Sequence, residues 1–259
     1  MSVQKSWAEL QKMHRACRIV VDTLEALAVA AAPGVPTREL DRIARERIQK
    51  EGAKPAFLGY RGYPATLCIS VNDEVVHGIP GERRLLDGDI VGLDLGCVVD
   101  GFYGDAARTV GVGRVSEPAR RLMRVTEEAL RAGIASCHPG KRVGDIGHAV
   151  QTHAEAQGYS VVREFVGHGI GTRLHEEPQV PNYGPPGRRE RLVPGMCLAI
   201  EPMINVGGPA VRVLEDGWTA VTVDGSLSAH FELSVAVTAE GPWILSEPYP
   251  YEQGRESHV

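Results

Sequence analysis

The sequence carries two similar halves, and this restricts the folds open to it. Pro33 and Pro139, Gly34 and Gly140, Leu40 and Ile146, and Gly52 and Gly158 each stand 106 residues apart. Further on, RLLDGDIVGLD (Arg84 to Asp94) aligns with RLVPGMCLAIE (Arg191 to Glu201) at an offset of 107. Gly88 falls on Gly195, Leu93 on Ile200 and Asp94 on Glu201, and VVHGI echoes VGHGI. Order, spacing and one carboxylate matched to another favour an internal duplication. The copies run over about 10–113 and 116–240 of a single domain covering 1–259.

Each copy reads as two helices followed by antiparallel strands. Leu10, Met13, Cys17, Val20, Leu24 and Leu27 recur at three and four, the period of an amphipathic helix that ends at Pro33-Gly34. Thr37 is expected to cap a second helix with Leu40, Ile43, Ala44 and Ile48 on one face, closed by Gly52. In the second copy Ser116 caps a helix bearing Leu122, Val125, Ala129 and Ile134, which stops at Cys137-His138-Pro139-Gly140. The next presents Ile146, Val150 and Ala154 and ends at Gly158. The class is α+β, with helices covering one face of a curved sheet. A site between the halves should draw residues from both.

The totals exclude several functions. The net charge is −5, with no basic block, so nucleic-acid binding has no electrostatic footprint. The longest apolar run near the start, Ala26 to Ala32, is far below the roughly 20 residues of a membrane span. Glu9, Asp22 and Glu25 fall where an export signal would be apolar. Cysteines 17, 68, 97, 137 and 197 are odd in number and form no C-x-x-C, as expected of reduced thiols in the cytoplasm.

Four acids lie in strand-like company. Ile90–Leu95 reads as a strand, and Asp100-Gly101 is a two-residue hairpin signal. That turn sets Val99 opposite Phe102 and Gly96 opposite Asp105, which makes Asp94 and Asp105 diagonal neighbours roughly 7–8 Å apart at Cα. Glu201 ends the apolar run Leu198–Ile200, and Glu232 shares a small-residue face with Ser234 and Ala236. Acids are depleted in strands, and close carboxylates repel unless protonated or bound to a cation. Together they favour a shared site for two divalent ions.

The histidines sharpen this. HEEP (His175 to Pro178) is no H-E-x-x-H motif, because Gln179 occupies the second histidine's place. The glycines at 167, 169 and 171 do not fit a dinucleotide loop, and no G-x-S-x-G occurs. His77, His168 and His175 sit in glycine- or proline-bounded segments just before the acidic strands. His14, His138, His148, His153 and His258 read as structural, and His230 as a strand residue.

With these residues assembled, the chain resembles the type I methionine aminopeptidases of the pita-bread fold, in their short bacterial form. GYPATLCISVNDEVVHGIP, DGFYGDAARTV, VVREFVGHGIGTRLHEEPQVPNYG, LVPGMCLAIEPMI and DGWTAVTVDGSLSAHFELSVAVT carry the likeness in family order over nearly the whole chain. The resemblance implies metal ligands at Asp94, Asp105, His168, Glu201 and Glu232, with Asp105 and Glu232 bridging two ions (Co, Mn, Fe or Zn). It implies catalytic roles for His77, His175 and Glu201: His175 at the scissile carbonyl, His77 at the amide nitrogen, Glu201 carrying a proton from the metal-activated water. The methionine pocket maps to Phe57, Tyr60, Tyr63, Cys68, Leu174 and Trp218. Phe57, Arg61, Tyr103 and Leu174 depart from residues common in bacterial members, which bears on pocket shape and not on the reaction.

The implied activity is removal of the N-terminal methionine from nascent proteins and peptides whose second residue is small. The implied partner is that N-terminal peptide; the chain is expected to be a cytoplasmic monomer, with ribosome contact left open. Two rivals share the fold: a proline-directed peptidase, usually with an extra N-terminal domain, and a non-enzymatic binding protein, which typically lacks metal ligands.

Overall fold

A computed structural model describes residues 4–250; His258 lies outside them. The first half contains α1 (Trp7–Ala30), α2 (Thr37–Lys50), β1 (Lys54–Pro55), β2 (Leu67–Val71), β3 (Glu74–Val76), β4 (Ile90–Val99) and β5 (Phe102–Gly111). The second contains α3 (Glu117–Ala135), α4 (Val143–Ala156), β6 (Ser160–Val161), β7 (Gly167–Gly169), β8 (Glu176–Val180), β9 (Cys197–Ile200) and β10 (Met203–Asn205). It continues with β11 (Val211–Val213), β12 (Ala220–Thr222), β13 (Ser228–His230), β14 (Glu232–Val237) and β15 (Pro242–Ile244).

Local chemistry explains the helix boundaries. Ser6 caps α1 through a reciprocal pair: its hydroxyl accepts from the Glu9 N–H while its own N–H donates to the Glu9 carboxylate at 2.7 Å. The expected apolar face of α1, from Leu10 to Leu27, is buried throughout. Ser116 caps α3 by accepting from the Ala119 N–H. Thr37 does not cap α2. It is the first helical residue, and Pro36 holds the cap position. The Thr37 hydroxyl is engaged elsewhere, donating to the Gly81 carbonyl and accepting from the Gly81 N–H at 2.8 Å.

The two helix pairs are tied to the strands by equivalent bonds. Gly34 N–H donates to Leu85 O at 2.7 Å, and Gly140 N–H to Leu192 O at 3.0 Å. Leu85 N–H donates back to Val35 O, and Leu192 N–H to Lys141 O. Pro36 bridges Arg84 as Arg142 bridges Arg191.

The main sheet has nine strands, with the path β1-β4-β5-β14-β9-β7-β8. The β4–β5 hairpin has the register read from Asp100-Gly101, with Val99 opposite Phe102 and Gly96 opposite Asp105. The seam between the halves lies where β5 meets β14, and backbone pairing there covers only Glu232 with Ala107 and Leu233 with Ala106. Side-chain hydroxyls continue it. Thr109 Oγ1 donates to His230 O and accepts from His230 N–H, both at 2.9 Å. Ser234 Oγ donates to Asp105 O at 2.8 Å.

Two apolar layers cover the convex face. One joins α1 and α2 to β2 and β4 through Val20, Leu24, Leu40, Ile48, Leu67 and Leu93. The other joins α3 and α4 to β9 and β14 through Leu130, Ile134, Ile146, Leu198, Ile200 and Val235. The opposite face carries the buried acids Asp105 and Glu232 together with a smaller apolar cluster around Phe57, Tyr63 and Cys68.

Candidate metal centre and substrate pocket

Strand alternation gathers the acids. Asp94 lies opposite Ala107 across the β4–β5 ladder, and Glu232 lies opposite the same Ala107 on its other side. Asp105 is two residues from Ala107, hence on the same face. His168 of β7 lies opposite Ala199 of β9, which lies opposite Ser234 of β14. Small residues, Gly96, Ala107, Ala199 and Ser234, fill the positions between, and the Phe57 ring lies over Gly96, where a Cβ would meet it at 2.8 Å.

Asp105, His168 and Glu232 are buried and place one donor atom each within 4.8 Å of one another. His168 Nε2 stands 3.5 Å from Glu201 Oε1 and 3.9 Å from Asp105 Oδ2. Its other nitrogen fixes the tautomer. His168 Nδ1 donates to the Gly169 carbonyl at 2.9 Å, and a carbonyl only accepts, so a neutral ring turns its Nε2 lone pair toward the acids.

The electrostatics of the cluster favour a cation. Burial raises Asp94 to about 7. Burial, then Asp94 and Glu201, hold Asp105 well above the usual carboxylate range. Burial and Asp94 do the same to Glu201. Burial and the other three acids do the same to Glu232. Burial, with the neighbouring His175, pushes His168 down to about 3. Asp94 Oδ1, Asp105 Oδ1 and Glu232 Oε1 are buried without a hydrogen-bond partner. Three unsatisfied acceptor oxygens beside one unprotonated imidazole nitrogen suit a borderline-hard divalent cation.

Every site residue named from the sequence lines one cavity of about 160 Å³ with the cluster at its floor. Phe57, Tyr63, Cys68, Leu174 and Trp218 form an apolar wall, with Tyr63 and Trp218 edge to face at 5.1 Å. Tyr60 shares a 2.7 Å hydrogen bond with His175 Nδ1, and the His175 ring lies 4.2 Å from that of His168. His77 takes a left-handed backbone angle, φ 63°, and meets the Phe165 ring edge on at 5.3 Å. Gly78 beside it has no room for a side chain, since a Cβ would meet Ile69 O at 2.0 Å. Strain of this kind persists where the surroundings over-determine a position.

Two more residues stand at the site: Arg61, read from the sequence only as a departure bearing on pocket shape, and His230, read as a strand residue. Arg61 lines the cavity mouth at φ 50° with its guanidinium over the Tyr60 ring, and it helps burial lower His175. His230 is buried, with Nε2 3.8 Å from Glu201 Oε2 and no hydrogen-bond partner. The alternation linking residue 232 to 234 also reaches back to 230, and that signal was available in the sequence.

Known proteins share this arrangement. Residues 11–239 match metallopeptidase family M24. A methionine aminopeptidase of Clostridium perfringens is 52% identical over 95% of this chain and 99% of its own length. Methionine aminopeptidase 1 of Bacillus subtilis is 50% identical with the same coverage, 95% and 99%. The crystal structure of methionine aminopeptidase from Thermotoga maritima superposes with a TM-score of 0.94 at 45% identity, covering 96% of this chain and all of that one. The curved antiparallel sheet under four helices is thus the pita-bread fold. A whole-length match at half identity joins the acid cluster to an established lineage: the chain belongs to metallopeptidase family M24, among its methionine aminopeptidases.

Proposed function

We propose that the protein is a metallo-exopeptidase that removes the N-terminal methionine from nascent proteins and peptides whose second residue is small, using two divalent metal ions. The observation that carries this is one cavity with an acid floor and an apolar wall, in a chain half identical to named methionine aminopeptidases. Flexible thioethers pack well against aromatic and sulfur groups, which Phe57, Tyr63, Cys68 and Trp218 supply. The chain would work as one catalytic domain, monomeric and cytoplasmic.

Asp94, Asp105, His168, Glu201 and Glu232 would hold the ions. Bound there, the ions polarise a carbonyl and lower the pKa of water. The chain's own residues do the rest. His175 donates from Nε2 to the substrate carbonyl oxygen as charge grows on it. A neutral ring donates there only if Nδ1 accepts, so the Tyr60 hydroxyl is the donor in their hydrogen bond. His77, lowered to about 4 by burial and by His175, is neutral and faces the amide nitrogen. Glu201 carries the proton to the leaving amine.

The test is methionine release from Met-Ala, Met-Leu and X-Pro peptides by chelated and metal-reconstituted protein. Metal-dependent release from Met-Ala well above Met-Leu is expected. Absence of release with Mn, Fe, Co and Zn alike would end the enzyme reading, and faster X-Pro cleavage would select the proline-directed rival.

A further inference from the structure

The segment carrying Leu174 and His175 has no regular secondary structure from Gly171 to His175, although both side chains line the cavity. One carboxylate organises its backbone. Glu176 Oε1 accepts from the Thr172 N–H at 2.8 Å, the Arg173 N–H at 3.2 Å and the Thr172 hydroxyl at 3.3 Å. The other oxygen, Oε2, accepts from Lys5 Nζ at 2.6 Å. Both side chains of this ion pair are 3% exposed. Lysine is seldom buried so completely unless it is paired.

Lys5 reaches this place through two notches kept open by glycine. Its backbone N–H donates to Gly195 O at 2.7 Å, and a Cβ on Gly195 would stand 3.0 Å from Lys5 O. A Cβ on Gly171 would stand 2.2 Å from Lys5 Cε. Ser6 then begins α1 with its capping pair, so the ammonium hangs from a fixed helix end. The chain thereby runs from the start of α1, through Lys5 and Glu176, to the peptide groups just before His175.

We propose that Lys5 is a positioning residue for the peptidase reaction: paired with Glu176, it holds the irregular Gly171–His175 segment so that His175 meets the substrate in register. This rests on the role given to His175 above. Without the ammonium, the buried Glu176 carboxylate loses its counter-charge and either takes a proton or leaves the loop N–H groups. A displacement of about 1 Å in a substrate-positioning group lowers turnover on the order of 100-fold.

The experiment is a double-mutant cycle on metal-loaded protein with a Met-Ala peptide, measuring kcat and KM and verifying folding and metal content for each variant. Lys5→Met is expected to lower kcat about 10- to 100-fold with metal content unchanged and a smaller effect on KM. In a His175→Ala background the same substitution should change kcat less than about twofold, because the group it positions is gone. A purely structural Lys5 would lower activity equally in both backgrounds, and that result overturns the inference. Folded Lys5→Met with full kcat also overturns it. If His175→Ala alone keeps full kcat, the His175 reading fails first and this inference with it. Should Lys5→Met not fold, Glu176→Gln, which preserves volume, enters the same cycle with the same expected outcomes.

Discussion

At the residue scale, the site is a set of side chains whose states are fixed by what lies behind them. His168 is fixed by a carbonyl and His175 by a hydroxyl, so the two rings, 4.2 Å apart, are prepared for opposite work. One turns a lone pair to the acids, and in the proposed mechanism the other turns a proton to the substrate. His175→Ala should keep the metal and lower kcat on the order of 10²- to 10³-fold; an unchanged kcat removes it from the chemistry. Tyr60→Phe should produce a smaller loss in kcat by freeing the tautomer, and no loss would assign the fixing group elsewhere. Asp105→Asn should lose metal and activity together, and retained metal stoichiometry would refute its proposed role as a ligand. The acids and three histidines were legible because an acid in an apolar strand is unusual enough to need a reason. Lys5 was not legible. Nothing adjacent in the chain marks it, and its partner lies 171 residues away.

At the element scale, hydrophobic period and caps determine the helices, and the Asp100-Gly101 turn fixes the register that brings Asp94 and Asp105 together. Thr37 shows where local signals stop. A threonine ahead of an apolar face reads as a cap, but its hydroxyl is taken by Gly81, 44 residues on. The β5–β14 seam is similar. Strand propensity says nothing about a ladder that shortens to two residue pairs and hands its bonds to Thr109 and Ser234. Thr109→Val keeps the shape and removes the hydroxyl, leaving both backbone groups of buried His230 unpaired. It should lower stability by about 1–3 kcal/mol in denaturant unfolding of the metal-free protein. A shift of the midpoint too small to resolve would mean that the seam is held by packing alone.

At the scale of the whole molecule, two helix-backed halves meet along that seam and contribute to one acid floor. Asp94 and Asp105 come from one half, and His168, Glu201 and Glu232 from the other. The equivalent bonds at Gly34 and Gly140 lead us to read the halves as copies, the second carrying Glu201 where the first carries Asp94. Such a floor links folding, protons and metal. Asp94 is raised to about 7 and Asp105, Glu201 and Glu232 are raised as well, so at these four acids the metal-free folded state binds more protons than the unfolded chain from about pH 4 upward. Stability from these acids is present below the unfolded pKa and is lost as pH rises through the folded one. Histidines that desolvation holds low act oppositely: half-buried His77 at about 4 and buried His168 and His230 at about 3 lose stability as pH falls below their unfolded value near 6.5. Above that value the acid slope remains, joined near pH 8 by the buried thiols, which burial raises, so metal-free protein should melt lower at pH 8 than at pH 6.5. A divalent cation replaces the protons, and saturation at 100 times Kd adds about 2.7 kcal/mol, or on the order of 5–10 °C in Tm. The gap between metal-loaded and chelated protein should therefore widen from pH 6.5 to 8, and calorimetry in two buffers of different ionisation enthalpy should record proton release on loading. A gap that narrows over this range, or loading without proton release, would mean that the floor does not hold the protons assigned to it.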